Sequence, residues 1–291
     1  MPELPEVETV RIGLSELIPH KRVKSISHDT DKSFPNTIAD VNTFLIDAEI
    51  LRIHRRAKVL IIDLSTKYSL VIHLKMTGQL VFVSPETRFG AGHPNDSLVH
   101  ELPDKSTRVE ITFKDDSKLF FNDQRKFGWM RLLPTIEVPN IEFMKKVGPE
   151  PLAAHFTSDK FIERLMRRKK SNIKAVILDQ TIVAGVGNIY ADESLWGAMI
   201  HPSTLVENVP KHKLQNLFTE LQYVLNLAIQ KGGSSNHTYV NAEGKKGSYM
   251  DFARVFRREG QACPRCGTEI IKIRVAGRGT HVCPHCQRLA K

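Results

Sequence analysis

The sequence has no apolar run that reaches the roughly 18 residues of a membrane-spanning helix. It also opens on acidic residues instead of a basic stretch leading into an apolar one, so it reads as neither membrane-spanning nor secreted. Cysteine is equally scarce: the four that occur fall within the last 29 residues, which excludes a disulfide framework running through the protein. Internal repeats and low-complexity tracts are absent. Acidic side chains number 32 against 42 lysines and arginines. The resulting net charge of +10 and pI near 9.4 point to a polyanionic partner, although excess charge also serves solubility. A chain of 291 residues with 41% hydrophobic content is long enough for two domains, each with its own core. These features together predict a cytoplasmic globular protein.

The most informative stretch is the first, Met1-Pro2-Glu3-Leu4-Pro5-Glu6-Val7-Glu8, where a proline stands directly behind the initiator methionine and carboxylates follow. With Met1 removed, Pro2 presents a secondary amine. An α-amino group has an unperturbed pKa of about 7.7 to 8.0, so a useful fraction is nucleophilic at neutral pH. Attack by that amine on a sugar C1′ or an aldehyde gives an iminium ion, and Glu3 stands close enough in sequence to move protons. The same residues also make an ordinary helix start: Pro5 suits the first turn, Glu6 and Glu8 favour a helix N-terminus, and Val7, Val10 and Leu14 form an apolar stripe.

From Val23 to Leu133 the pattern is mainly of strands. Val59 to Leu64 and Leu70 to Leu74 flank a polar turn, and Val109 to Phe113 with Leu119 to Phe121 predict a hairpin, so an antiparallel sandwich or barrel-like β domain is expected. Ser84 to Lys105, with Gly90, Gly92, Pro94 and Pro103, reads as a long surface loop. Pro134, Pro139, Gly148, Pro149 and Pro151 mark an interdomain linker. Helical periodicity follows over Phe161 to Arg168, Ile173 to Leu178, Ile189 to Trp196 and Lys211 to Gln230, the last with Leu214, Leu217, Phe218, Leu221 and Leu225 on one face.

Two knuckles, Cys263-x2-Cys266 and Cys283-x2-Cys286, lie sixteen residues apart, the spacing of a closed tetrahedral zinc site. With every cysteine used, the zinc is expected to be structural, holding a small hairpin whose Lys272, Arg274 and Arg278 suit phosphate contact. Val183 to Asn188 supplies glycines ahead of a helix N-terminus, a cradle for a second phosphate. Arg164, Arg167, Arg168, Lys169, Lys170 and Lys174 add a basic surface nearby in sequence.

The run Pro2 to Thr9, PELPEVET, resembles the N-terminal signature of the formamidopyrimidine-DNA glycosylases, bacterial enzymes of base-excision repair. Arg55 to Lys58, His73 to Gly78, Asp123 to Gly128, Gly185 to Ala191 and the four-cysteine finger look like the family's further signatures, in the family's order, so the resemblance spans nearly the whole chain. It implies an α+β multidomain fold: a β-sandwich with an N-terminal helix over 1–133, a linker over 134–151, a helix-two-turn-helix domain over 152–231, a lesion-recognition loop over 232–251 and a zinc finger over 252–291. DNA would bind in the cleft between the domains. The implied activity is that of a bifunctional glycosylase and abasic-site lyase, which excises 8-oxoguanine and formamidopyrimidines and cuts the backbone by β,δ-elimination. Its implied partner is double-stranded DNA with oxidised bases or abasic sites, met by a monomer at the bacterial nucleoid, with no membrane.

By the same resemblance Pro2 is the nucleophile and Glu3 the acid/base. Lys58 approaches the sugar and phosphate and helps β-elimination, and Arg278 holds phosphate and assists strand cleavage. Met76, Arg125 and Phe127 resemble the set that fills the void when a lesion is flipped out, a step costing a few kcal/mol. Asn188 and Lys169 would bind backbone phosphate, and Cys263, Cys266, Cys283 and Cys286 would hold one zinc ion. Three departures bear on detail. Ser106-Thr107-Arg108 replaces a His-x-His pair, which leaves Arg108 as the expected substitute phosphate contact. The loop before it is expanded, and Asn236-His237 stands where relatives often have an apolar residue and an arginine. Two other readings compete: an endonuclease VIII-like preference for oxidised pyrimidines, and a non-catalytic zinc-finger DNA-binding protein.

Overall fold

The computed structural model describes residues 1–234 and 249–289. The chain folds as two compact units, 1–145 with 229–249 and 146–228 with 250–291.

In the first unit a helix α1 (Leu4–Leu17) precedes β1 (Val23–His28), a short α2 (Ile38–Asp40), and strands β2 (Ile50–Arg56), β3 (Val59–Leu64), β4 (Tyr68–His73), β5 (Gly78–Val83), β6 (Arg88–Gly92), β7 (Thr107–Phe113), β8 (Lys118–Asp123) and β9 (Trp129–Pro134). A short α3 (Glu142–Lys146) follows. The strands form two antiparallel sheets, β2-β3-β4-β9 and β1-β7-β8-β5-β6. One continuous core joins them, with Leu60, Ile62 and Ile72 from the first sheet, Leu80, Phe82, Ile111 and Phe121 from the second, and Val7, Val10 and Leu14 from α1. Strand β3 is apolar from Val59 to Ile62 because both its faces are covered there: Leu60 and Ile62, with Leu64 beyond them, face that core, while Val59 and Ile61 pack with Val138 in a separate cluster.

The stretch from Ser84 to Lys105 corrects the expectation of a surface loop. Its glycines lie in strand β6, which pairs with β5 in the register Val81↔Gly90 and Gln79↔Gly92. A Cβ on Gly13 of α1 would come within 2.1 Å of the Phe89 ring, so that glycine lets the helix lie on β6. Beyond the strand, Leu98 packs with Val81 and Phe120, and Arg88 ties the segment down by donating to the Leu98 carbonyl at 3.0 Å.

The second unit carries α4 (Ser158–Met166), α5 (Ile173–Leu178), α6 (Asn188–Gly197), the long α7 (Lys211–Gln230), whose end crosses into the first unit, and the hairpin β10 (Ile271–Val275) with β11 (Arg278–Val282). Thr157 and Asn172 cap α4 and α5 through their side-chain oxygens. The expected stripe of α7 is buried, and its Phe218 packs with Phe156 and Phe161. The basic run does not form one surface. Arg167, Arg168, Lys169 and Lys170 are exposed, but Arg164 donates to the Ile182 carbonyl at 2.7 Å and Lys174 is fully buried against Asp192.

Candidate active site

At the head of α1, Pro2 and Glu3 are both buried. Glu3 caps the helix in an extended conformation and shares a capping box with Glu6, its own N–H donating to Glu6 Oε2 at 2.8 Å. The other Glu6 oxygen accepts the Ser234 N–H, also at 2.8 Å. The Gly233 carbonyl in turn accepts from Tyr249 N at 2.9 Å, so the residues flanking 235–248 are held together at the base. Of the expected recognition loop, most, including Asn236 and His237, lies outside the described residues.

Lys58 sits in the turn between β2 and β3, only 5% exposed, directly after Ala57 in the left-handed conformation (φ +53°). That turn is braced from α1. Glu8 accepts from Arg55 Nε at 2.8 Å, and Arg55 Nη1 donates to the Ala57 carbonyl at 2.8 Å. Beneath it His73, the register partner of Val59, accepts the Lys75 N–H on Nδ1 at 3.0 Å. Burial, reinforced by the charges of Lys75 and Lys58, pushes its pKa down to about 3, so the imidazole is neutral. With Nδ1 accepting, the ring proton belongs on Nε2.

Met76 and Phe127 occupy two neighbouring turns, half-buried and exposed respectively. Each follows a left-handed lysine, Lys75 (φ +50°) and Lys126 (φ +57°). The buried Asp123 carboxylate accepts from the Thr77 hydroxyl in the first turn and, in the second, from the N–H groups of Arg125 (3.2 Å), Phe127 (2.8 Å) and Gly128 (2.6 Å). The exposed Arg125 guanidinium lies 4.9 Å from the centre of the Phe127 ring. Arg108, expected at phosphate, is instead directed inward. It is 6% exposed and donates to the Asp123 carbonyl (2.8 Å), Asp29 Oδ2 (2.5 Å) and the Lys105 carbonyl (2.7 Å), so it supports the turn of Arg125 and Phe127 from beneath.

In the second unit, Asn188 opens α6 and donates to the Gly279 carbonyl at 3.0 Å, which places it beside exposed Arg278 at the tip of the finger hairpin. Lys169 is exposed in the turn after α4. The four cysteine sulfurs all lie within 4.8 Å of one another, as tetrahedral Zn–S bonds of about 2.3 Å require. Cys263 and Cys283 are buried with Trp196, Val255 and Ile270. The set holds one structural zinc ion; all four ligand positions are protein thiolates, so the ion builds the finger and leaves the chemistry to other groups.

Charge, a buried Pro2-Glu3 pair at the head of α1 and a zinc finger converge on one class: a DNA glycosylase of base-excision repair with abasic-site lyase activity. The chain matches the family models described as formamidopyrimidine-DNA glycosylase N-terminal domain (residues 1–130), formamidopyrimidine-DNA glycosylase H2TH domain (147–240) and zinc finger found in FPG and IleRS (260–289). It is 39% identical to the formamidopyrimidine-DNA glycosylase of Lactobacillus acidophilus over the whole of both chains, and 35% identical to that of Pelotomaculum thermopropionicum over 99% of this chain and 100% of the relative. Among solved structures it resembles a Lactococcus lactis FPG variant bound to a Fapy-dG containing DNA, with TM-score 0.86 and 36% identity over 99% of this chain and 100% of that one. It also resembles the Lactococcus lactis Fpg complex with an abasic site containing DNA, with TM-score 0.85 and 34% identity over 98% and 99%. The chain belongs to the formamidopyrimidine-DNA glycosylase family.

Reading the sequence missed the residues that hold these groups in place. Glu6 was legible only as a helix-start acid, although its i,i+3 spacing from Glu3 is that of a capping box. Asp123 lies in a motif that drew attention to Arg125 and Phe127, and His73, at the head of another, has no role that spacing reveals.

Proposed function

We propose that this enzyme excises oxidised purines, 8-oxoguanine and formamidopyrimidines, and then cleaves the strand through a covalent Pro2 intermediate. The observation that carries the reading is the head of α1, where Pro2 and Glu3 are buried together and Glu8 of the same helix braces the turn of Lys58 through Arg55 of β2. Similar solved structures support the lesion class, since they are complexes with Fapy-dG, carbocyclic 8-oxo-G and abasic-site DNA.

With Met1 removed, the Pro2 nitrogen attacks C1′, the glycosidic bond breaks and the base leaves with a proton. Glu3 protonates the ring oxygen as the sugar opens, giving the iminium. Loss of a C2′ proton then expels the 3′ phosphate, assisted by Lys58; loss of a C4′ proton expels the 5′ phosphate, held by Arg278, and water hydrolyses the iminium to free Pro2. Met76, Arg125 and Phe127 fill the space of the everted nucleotide. Asn188 and Lys169 hold backbone phosphate, and Arg108 supports the insertion turn instead of joining them. We place the enzyme in the cytoplasm with the nucleoid DNA.

Borohydride trapping on a duplex with one 8-oxoguanine opposite cytosine, followed by peptide mapping, tests this reading. An adduct on Pro2 is expected. Zinc-loaded protein that forms no adduct with this duplex, or with duplexes carrying formamidopyrimidine or an abasic site, overturns it.

A further inference from the structure

We propose that Lys174 and Asp192 form a buried latch that positions Arg278 by fixing the finger's second strand to the helical domain; this rests on the reading of Arg278 as the finger's phosphate-holding arginine. Both side chains are fully buried and 2.6 Å apart. A buried ion pair is seldom more stabilising than apolar residues of the same volume, so its presence calls for a geometric reason. The reason lies in what the pair holds. Lys174 Nζ also donates to Thr280 Oγ1 at 2.7 Å and approaches the Gly279 carbonyl at 3.4 Å. The second Asp192 oxygen accepts the His281 N–H at 2.9 Å and faces His281 Nδ1 at 3.3 Å. Three consecutive residues after Arg278 are therefore pinned to α5 and α6, and Asn188 adds its bond to Gly279.

On the other side of Arg278, the two-residue turn Ala276-Gly277 has positive φ at both positions, the tight form that matches strand twist. A lone two-stranded hairpin is marginal in water, and the zinc knuckle containing Cys283 grips only its base. The latch grips the end that carries Arg278, whose own side chain stays exposed. Lys174 touches neither phosphate nor sugar in this scheme and is a positioning residue.

The test uses full-length, zinc-loaded protein and a duplex with a single abasic site. Lys174→Met removes the latch charge, and Thr280→Val removes the hydroxyl that accepts from Lys174 and itself donates to the Arg278 carbonyl at 3.1 Å. Zinc content and Pro2 adduct at saturating DNA should match wild type. KM for DNA should rise, and the ratio of δ- to β-elimination product should fall, by about 5-fold for Thr280→Val and about 10-fold or more for Lys174→Met. Combined with Arg278→Ala, Lys174→Met should add nothing further, because both act through one side chain.

A wild-type product ratio and KM in both latch variants, or losses that add fully to those of Arg278→Ala, overturns the latch. An Arg278→Ala variant with unchanged KM and product ratio instead sinks the reading of Arg278. Hydrogen exchange at Thr280 and His281 then decides the latch: about tenfold faster exchange in Thr280→Val upholds it, and wild-type protection overturns it.

Discussion

The Thr77 hydroxyl donates to the Asp123 carboxylate, and this contact fastens the turn that presents Met76 to the turn that presents Arg125 and Phe127. A neighbouring three-centre bond repeats the link, since Arg125 N also reaches Thr77 Oγ1 at 3.1 Å. In the proposed function these side chains enter a duplex and must resist being pushed back by the stack they displace, and two turns sharing one buried carboxylate resist better than either alone.

Thr77→Val keeps the shape of the side chain and removes this donor. A hydrogen bond to a buried charge contributes about 1.5 to 3 kcal/mol, so stability should fall by that amount in urea denaturation. Excision of 8-oxoguanine should fall about tenfold, because misplacing inserted groups by about an ångström costs rates of that order or more. Cleavage at an abasic site needs no base to be everted and should change less than about threefold. Single-turnover rates on the two duplexes decide the matter; equal losses on both would place Thr77 outside lesion eversion.

His73 gives the first unit a definite response to acid. Its folded pKa is depressed to about 3, below the roughly 6.5 of an unfolded histidine, so between those values the unfolded chain binds the extra proton. The stabilisation is fully present above about pH 6.5 and is lost as pH falls toward 3, with a slope approaching about 1.4 kcal/mol per pH unit. Denaturant unfolding between about pH 7 and pH 4 should show this slope in wild type and a shallower one in His73→Asn. Identical slopes would mean that His73 is protonated in the folded protein.

The helices and the two hairpins were legible because their signals are local: an apolar stripe on α7, polar turns between runs of β-branched residues, and paired cysteines at fixed spacing. What could not be read depends on distant partners. Arg108 looks like a surface charge until Asp29, 79 residues away, turns it inward, and Lys174 looks like part of a basic run until Asp192 buries it. Strand β6 is hidden by its own glycines, which count against a strand locally but are required by Leu98 over Gly90 and by the Gly78 carbonyl, 2.6 Å from where a Cβ on Gly92 would stand. Backbone conformation was equally silent. Lys58, Met76 and Phe127 each follow a left-handed residue that is not glycine, and Arg278 follows the left-handed pair Ala276 and Gly277. Nothing in the residue types announces those turns, yet they set the direction of each proposed functional side chain.

Glu6 divides its two carboxylate oxygens between the N–H of Glu3 and the N–H of Ser234, and therefore couples the proposed acid/base to the start of the proposed recognition loop. Glu6→Gln keeps the volume but has only one oxygen, so one of the two N–H groups must face an amide NH2 and lose its acceptor. If the coupling matters to lesion recognition, excision of a damaged base should fall by about tenfold or more, while trapping at a preformed abasic site falls much less. The cost in stability should stay near 1 to 3 kcal/mol, roughly that of one unsatisfied buried donor. Comparing the two trapping rates with the unfolding free energy separates this role from simple helix capping, because a capping residue alone would lower both rates together and only as far as the folded fraction fell.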